Sequence, residues 1–229
     1  MKTIGLIGGI TWYSTAVYYR TINQLTCERL GNSHSAKLLL YSIDFSELKT
    51  LQQKDDWKRI ELMISDIGIR LENAGADCIL ICSNTPHLIA DTFKQKIRVP
   101  FIHIAEETAK EIVKQKISKV GLLGTKFTME NSFFKDHLSR LGIETMIPSG
   151  ASRDLIHNSI FNEFTKGIFS TETKIKYLDI ISELQIEGAE AIILGCTEIS
   201  LLINQSDCKI KLFDTAAIHS KAAVDFALS

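Results

Sequence analysis

The chain repeats itself, and that repeat restricts its fold more than any other feature. Gly75-Ala76-Asp77-Cys78-Ile79-Leu80-Ile81-Cys82-Ser83-Asn84-Thr85 aligns with Gly188-Ala189-Glu190-Ala191-Ile192-Ile193-Leu194-Gly195-Cys196-Thr197-Glu198 at a constant offset of 113. Thr3-Ile4-Gly5-Leu6-Ile7-Gly8-Gly9 is echoed by Lys119-Val120-Gly121-Leu122-Leu123-Gly124-Thr125 at 116, and Val99-Pro100-Phe101-Ile102-His103 by Ile210-Lys211-Leu212-Phe213-Asp214 at 111. Matches in the same order at nearly the same spacing imply two copies of one folding unit.

Each copy reads as strands alternating with helices. Lys2 to Ile7 is a short apolar run closed by Gly8-Gly9, and helical spacing follows from Thr11 to Gly31. Ala36 to Ile43 reads as a second strand. Asp55 to Ala74 reads as a helix with Ile60, Ile64, Ile67 and Leu71 on one face and Gly75 as its stop. Asp77 to Cys82 is an apolar run without alternation, as in a strand buried on both faces of a parallel sheet. Thr85 then serves as a helix cap with Pro86 at the first helical position. A strand over Val99 to His103 precedes an amphipathic helix from Ala105 to Lys116. This order predicts an α/β fold of two parallel-sheet domains, 1–103 with 214–229 and 104–213, joined by right-handed crossovers. Ligands of such sheets bind beyond the carboxyl ends of the strands. With the halves related by a pseudo-twofold axis, the matched loops are expected to converge on an active site in the cleft between them.

Composition narrows the function. With 229 residues, 26 Lys plus Arg, 27 Asp plus Glu and a net charge of −1, the chain has no excess charge to hold a phosphate backbone, so no nucleic-acid partner is expected. No apolar run approaches the length of a membrane helix, and the glycine-broken N-terminus does not resemble a secretory signal, so a cytoplasmic protein without a membrane partner is expected. The five cysteines, Cys27, Cys78, Cys82, Cys196 and Cys208, are too few and too scattered for a disulfide framework. They also lack zinc-site spacing, so no metal is expected.

Cys196 carries the strongest chemical signal. It ends an apolar strand, follows Gly195 and precedes Thr197-Glu198 at a helix start, where a thiol pKa near 8.5 can fall to roughly 3.5–7.5. The alternative is a buried core cysteine. The offset makes Ser83 its equivalent. Because successive strand side chains alternate between faces, Cys82 should point away from whatever Ser83 meets, and Cys82, Cys78, Cys27 and Cys208 read as structural. Gly5, Gly8 and Gly9 form neither a dinucleotide fingerprint nor a P-loop. Such a turn either brings a ligand carboxylate to exposed amides or is simply tight. His87 either faces the cleft or caps its helix, and the other histidines read as structural.

The motifs Gly5-Leu6-Ile7-Gly8-Gly9-Ile10-Thr11-Trp12 with Ser14, Ser83-Asn84-Thr85-Pro86-His87, Gly121 to Thr125 with Phe127-Thr128-Met129, Gly195-Cys196-Thr197-Glu198 and Phe213-Asp214-Thr215-Ala216-Ala217-Ile218-His219 together resemble the cofactor-independent aspartate/glutamate racemases. The resemblance spans nearly the whole chain. It implies two α/β halves with the active site between them, no cofactor, an amino-acid substrate and a homodimer. It also implies catalysis by Cys196 and Ser83, with substrate contacts from Gly9, Ile10, Gln52, Asn84, Thr85, Thr125, Thr197 and Glu198. The family normally carries Cys-Asn-Thr where this chain has Ser83-Asn84-Thr85, which places it with a subgroup in which a hydroxyl replaces the first thiol. Gln52-Gln53-Lys54 stands where relatives often place an arginine for the distal carboxylate, and Lys166 lies about one position from a lysine kept by some.

Inverting an α-carbon without a cofactor takes a base on one face and an acid on the other, with hydrogen bonds to the α-carboxylate as it gains enediolate character. A Cys196 thiolate suits the base. Ser83 suits the donor only, because a serine hydroxyl is hard to deprotonate. By the resemblance, Cys196 acts on the L-enantiomer. The sequence leaves two alternatives open: a single-cysteine isomerase or decarboxylase of the same superfamily, and a catalytically weak amino-acid-binding protein.

Overall fold

Ile4–Gly8 forms β1, every residue of it buried. It is followed by α1 (Trp12–Leu30), β2 (Leu38–Ser42), α2 (Phe45–Gln53), α3 (Trp57–Asn73), β3 (Cys78–Ile81), a 3-10 turn over Thr85–Ile89 and α4 (Ala90–Phe93). The strands pair in parallel in the order β2-β1-β3. Local chemistry explains the boundaries. Thr11 caps α1 by accepting from the Ser14 amide, and Asp56 caps α3 by accepting from that of Arg59. Gly75, at φ +98°, takes the left-handed conformation that ends α3. Ile60, Ile64, Ile67 and Leu71 share one face of α3 and join Ile7, Ile79 and Ile81 in a single buried cluster.

Two sequence expectations change here. Val99–His103 is not a strand: it makes one parallel bridge, Phe101 with Ile79, because Pro100 offers only its carbonyl, which accepts from the Ile79 amide. Thr85 lies inside its 3-10 turn rather than capping it, and Asn84 occupies the cap position. Helix α2, of nine residues, stands where the sequence pattern marks no element.

The later elements are α5 (Ile104–Lys114), β4 (Lys119–Gly124), α6 (Lys126–Glu130), α7 (Ser132–Ser139), β5 (Glu144–Met146), α8 (Gly150–Asn162), α9 (Thr171–Ile186), β6 (Ala191–Gly195), α10 (Ile199–Leu202), β7 (Lys211–Asp214) and α11 (Thr215–Leu228). Their sheet is also parallel, in the order β5-β4-β6-β7. Its two faces are sorted by strand parity. On β6, Ala191 and Ile193 join Ile104, Ile112, Phe134 and Leu138 on one face, while Ile192 and Leu194 join Ile156, Ile160, Tyr177 and Ile181 on the other. This is a sheet covered by helices on both faces.

The structure describes residues 1–31 and 33–229 as two compact units, Met1–His103 with His219–Ser229, and Ile104–Ile218. Residues 214–218, assigned from the sequence to the first domain, fall in the second unit. The chain crosses back within α11.

The repeat reappears as sheet register. Ile7 pairs with Ile81 and Leu123 with Leu194; Ile4 pairs with Cys78 and Val120 with Ala191. The Ile79–Phe101 bridge has its counterpart in Ile192–Leu212. Offsets read from letters alone are therefore also offsets of hydrogen-bonded position. A fully buried histidine anchors α11 in the first unit: His219 Nδ1 accepts from the Tyr18 hydroxyl at 2.8 Å and Nε2–H donates to the Ile102 carbonyl at 2.7 Å. Burial lowers its pKa to about 4, so it stays neutral where an unfolded histidine would gain a proton. Stability is therefore expected to be unaffected above pH ~6.5 and to fall by up to about 3 kcal/mol as pH drops to ~4. Urea midpoints at pH 7 and 4.5 test this, with a smaller difference expected for His219→Gln, which cannot titrate.

Candidate active site

The cysteine loop leaves the carboxyl end of β6. Ile192 and Leu194 set the face, and Cys196, two residues further on, joins the same cluster. Gly195 is held in the sheet opposite Gly124, and a Cβ on it would lie 2.6 Å from the Leu123 carbonyl oxygen. Its lack of a side chain serves close strand approach, not flexibility. Cys196 is 8% exposed, and its Sγ–H donates to Glu198 Oε2 at 3.0 Å. The same oxygen accepts the Thr197 hydroxyl at 2.8 Å, and Thr197 and Glu198 are buried too. The result is a thiol, a hydroxyl and a carboxyl sharing one enclosed corner.

The ionisation state differs from the sequence expectation. Burial first, and then the charge of Glu198, push the Cys196 thiol well above its ordinary value. The amides of Glu198 and Ile199 favour the thiolate but do not prevail. The expected helix-dipole effect is weak because α10 is a single turn of four residues. At rest Cys196 is a thiol hydrogen-bonded to a carboxyl group.

The serine loop leaves β3 at the matching register. Ile79 and Ile81 lie in the first unit's core, and the chain turns out of the strand at Cys82, where the Ser83 amide donates to the Ile81 carbonyl at 2.8 Å. Cys82 has the parity opposite to Ile79 and Ile81, is wholly enclosed, and has its thiol pushed up by burial alone. Cys78 shares that parity and is pushed up to about 12, mainly by burial. All five cysteines are free thiols. Ser83 is half-buried, while Asn84 and Thr85 are buried beside it. Two side chains hold this loop: the Ser14 hydroxyl donates to the Cys82 carbonyl at 2.7 Å, and His87 Nδ1 lies 2.8 Å from the Ser83 carbonyl. The sequence assigned Ser14 no contact. A buried serine in the first turn of a helix after a glycine turn was the available signal.

The remaining expected contacts divide by unit. Gly9, Ile10 and Gln52 belong to the first, and Thr125 to the second, where it caps α6 by accepting from the Thr128 amide. Gln52 is buried near the end of α2. Gly9 is not a free amide donor, since its N–H donates to Thr15 Oγ1 at 2.8 Å. Its glycine is required because φ is +82° and a Cβ would meet the Ile43 carbonyl oxygen at 2.1 Å. The tight-turn reading therefore describes this residue. Lys166 is exposed in a 3-10 turn of the second unit. Among the described residues no group of three or more His, Cys, Asp or Glu is placed to hold a metal ion, and no helix is long and apolar enough to cross a membrane.

Comparison with known proteins gives the family. The family model described as Asp/Glu/Hydantoin racemase matches residues 7–223. The broad specificity amino-acid racemase RacX of Bacillus subtilis (strain 168) is 24% identical over 76% of this chain and 75% of its own length. Among solved structures, a Yersinia pestis protein assigned to the Asp/Glu racemases superposes with a TM-score of 0.93 at 44% identity over the whole of both chains. An aspartate racemase homologue from Pyrococcus horikoshii OT3 gives 0.86 at 35% identity, again over the whole of both. With motifs, topology, family model and structural likeness in agreement over nearly its full length, the chain belongs to the Asp/Glu/hydantoin racemase family and is an isomerase of that kind.

Proposed function

We propose that the protein interconverts L- and D-aspartate or L- and D-glutamate, with Cys196 serving one face of the α-carbon and Ser83 the other, and with no cofactor in the reaction. The observation that carries this reading is the enclosed Cys196–Glu198–Thr197 corner at the end of β6, matched in register by Ser83 at the end of β3. Glu198 accepts the thiol proton as the substrate ammonium group brings positive charge to the site. The thiolate then removes the α-proton of the L-enantiomer. Hydrogen bonds from Asn84, Thr85 and Thr125 stabilise the α-carboxylate as it gains negative charge. Ser83 Oγ–H delivers a proton to the opposite face and is reprotonated from solvent, which receives the proton held by Glu198.

The reading is tested by incubating the protein with each L- and D-amino acid in deuterated water and following chirality and α-deuteration. Conversion of aspartate or glutamate in both directions supports it. Release of carbon dioxide would mark a decarboxylase, and binding without exchange a non-catalytic protein. The serine assignment has its own test. Ser83→Ala should lower racemisation by roughly 10²-fold or more, the scale of a lost general acid. Ser83→Cys should restore a thiol pair and raise kcat for the D-enantiomer more than for the L. The equilibrium between enantiomers stays at unity, so the two kcat/KM values must remain equal in every variant. Full activity in both directions for Ser83→Ala would remove Ser83 from the mechanism.

A further inference from the structure

Ser83 and Cys196 are held in different ways. Cys196 is oriented through its own side chain, by the Sγ–H bond to Glu198. The side-chain tethers of its loop fall on Leu194, from the Thr215 hydroxyl at 2.8 Å, and on Thr197, from the Ser200 hydroxyl at 3.0 Å. Each is one carbonyl removed from the pair that flanks Cys196. In the serine loop the tethers fall on the carbonyls of Cys82 and Ser83, so both peptide planes meeting at the Ser83 Cα are fixed by a side chain. The Cys82 and Ser83 amides are engaged as well, with the carbonyls of Ile7 and Ile81. A peptide plane fixed on each side leaves the Ser83 Cα–Cβ bond one direction in space.

We propose that Ser14 and His87 are positioning residues that together aim the Ser83 hydroxyl, Ser14 by fixing the 82–83 peptide and His87 by fixing the 83–84 peptide; the proposal rests on the assignment of Ser83 to one face of the substrate. Ser14 is completely buried in the first turn of α1 and donates its proton at 2.7 Å. His87 is 1% exposed, with Nδ1–H donating to the Ser83 carbonyl. Its ring is clamped by Phe101, stacked at 5.4 Å, and by the edge-on rings of His103 and His219 at 4.7 and 5.7 Å. An imidazole confined on three sides cannot swing away from its acceptor. The offset of 113 makes Ser200 the counterpart of His87, so the second unit has a short hydroxyl where the first has a rigid ring.

The test separates a reaction that needs both faces from one that needs only the cysteine. Racemisation needs both. Elimination from 3-chloro-L-aspartate needs only Cys196: its base takes the α-proton, the Cα–Cβ double bond forms, chloride leaves with the Cβ–Cl electron pair, and the enamine tautomerises and takes up water to give oxaloacetate and ammonium. Ser14→Ala and His87→Phe should each slow racemisation by about tenfold or more, the scale of a displaced reacting group, while elimination changes by less than about twofold. Ser14→Thr and His87→Asn, whose amide nitrogen lies where Nδ1 lies, should recover most of the racemisation. His87→Gln, whose nitrogen lies nearer the Nε2 position, should not, and this comparison remains available if His87→Phe fails to fold. A parallel fall of both reactions, or no fall in either, overturns the positioning roles while leaving Ser83 in place. If Ser83→Ala itself racemises like the wild type, the Ser83 assignment fails, and the positioning proposal with it.

Discussion

Cys196→Ala is expected to lower racemisation and α-proton exchange by about 10³-fold or more, within the range for loss of a general base, with the fold retained. Cys196 closes the end of β6 and contributes to its cluster only at the edge, at 8% exposure. Removing its sulfur deletes the donor to Glu198 Oε2 but leaves that oxygen the Thr197 hydroxyl, so no carboxyl group is stranded without a partner. Cys82→Ala supplies the contrast. Its thiol is wholly buried with opposite parity, so the loss should be in stability, by roughly 1 kcal/mol, as for removal of one buried methylene-sized group, with turnover within about a factor of two. Thermal melts and exchange of the α-proton in deuterated water, measured on both variants, check the pair. More than a few per cent of wild-type exchange in Cys196→Ala would sink the assignment of the base. A comparable collapse of turnover in folded Cys82→Ala would move the chemistry to Cys82.

That contrast was available from the sequence because parity and the repeat are both properties of a line of residues. Ile79 and Ile81 alternate with Cys78, Leu80 and Cys82; the first two join the first unit's core and Cys82 is wholly enclosed, while Ser83 follows the end of β3 and is half-buried. The offsets were legible for the same reason: parallel pairing translates them directly into register, as Ile7 with Ile81 and Leu123 with Leu194 show. Features set by three-dimensional surroundings were not legible. The sequence placed Cys196 at a helix start and so suggested an acidic thiol; only the structure shows a single turn of helix and a carboxyl 3.0 Å from Sγ, where burial and like charge dominate. The glycine turn left exposed amides and simple tightness both open, and only the structure shows the Gly9 amide donating to Thr15 Oγ1. Pro100 could have warned against a strand over Val99–His103, because a missing N–H limits any ladder. Helix α2 leaves little trace in the sequence although Asp44 caps it and Leu48 is buried in the core. Nine residues gave too short a period to stand out.

Glu198→Gln should move two observables in opposite directions. The thiol of Cys196 is raised first by burial, which the substitution leaves in place, and next by the charge and hydrogen bond of Glu198, which it removes. The thiolate is therefore favoured relative to the wild type, and its absorbance near 240 nm should appear at lower pH. Racemisation at neutral pH should nevertheless fall by about 10²-fold or more, because a carboxamide can accept the S–H hydrogen bond but cannot carry the proton away. A group that merely packed would shift neither quantity, and one that acted only by restraining Cys196 would be replaced by glutamine with little loss. Glu198→Asp, which keeps the carboxyl group but withdraws it by one methylene from a 3.0 Å contact, should retain more activity than the amide. If Glu198→Gln racemises as fast as the wild type while its thiol titrates earlier, Glu198 only raises the pKa of the thiol, and the proton of Cys196 must leave by another route.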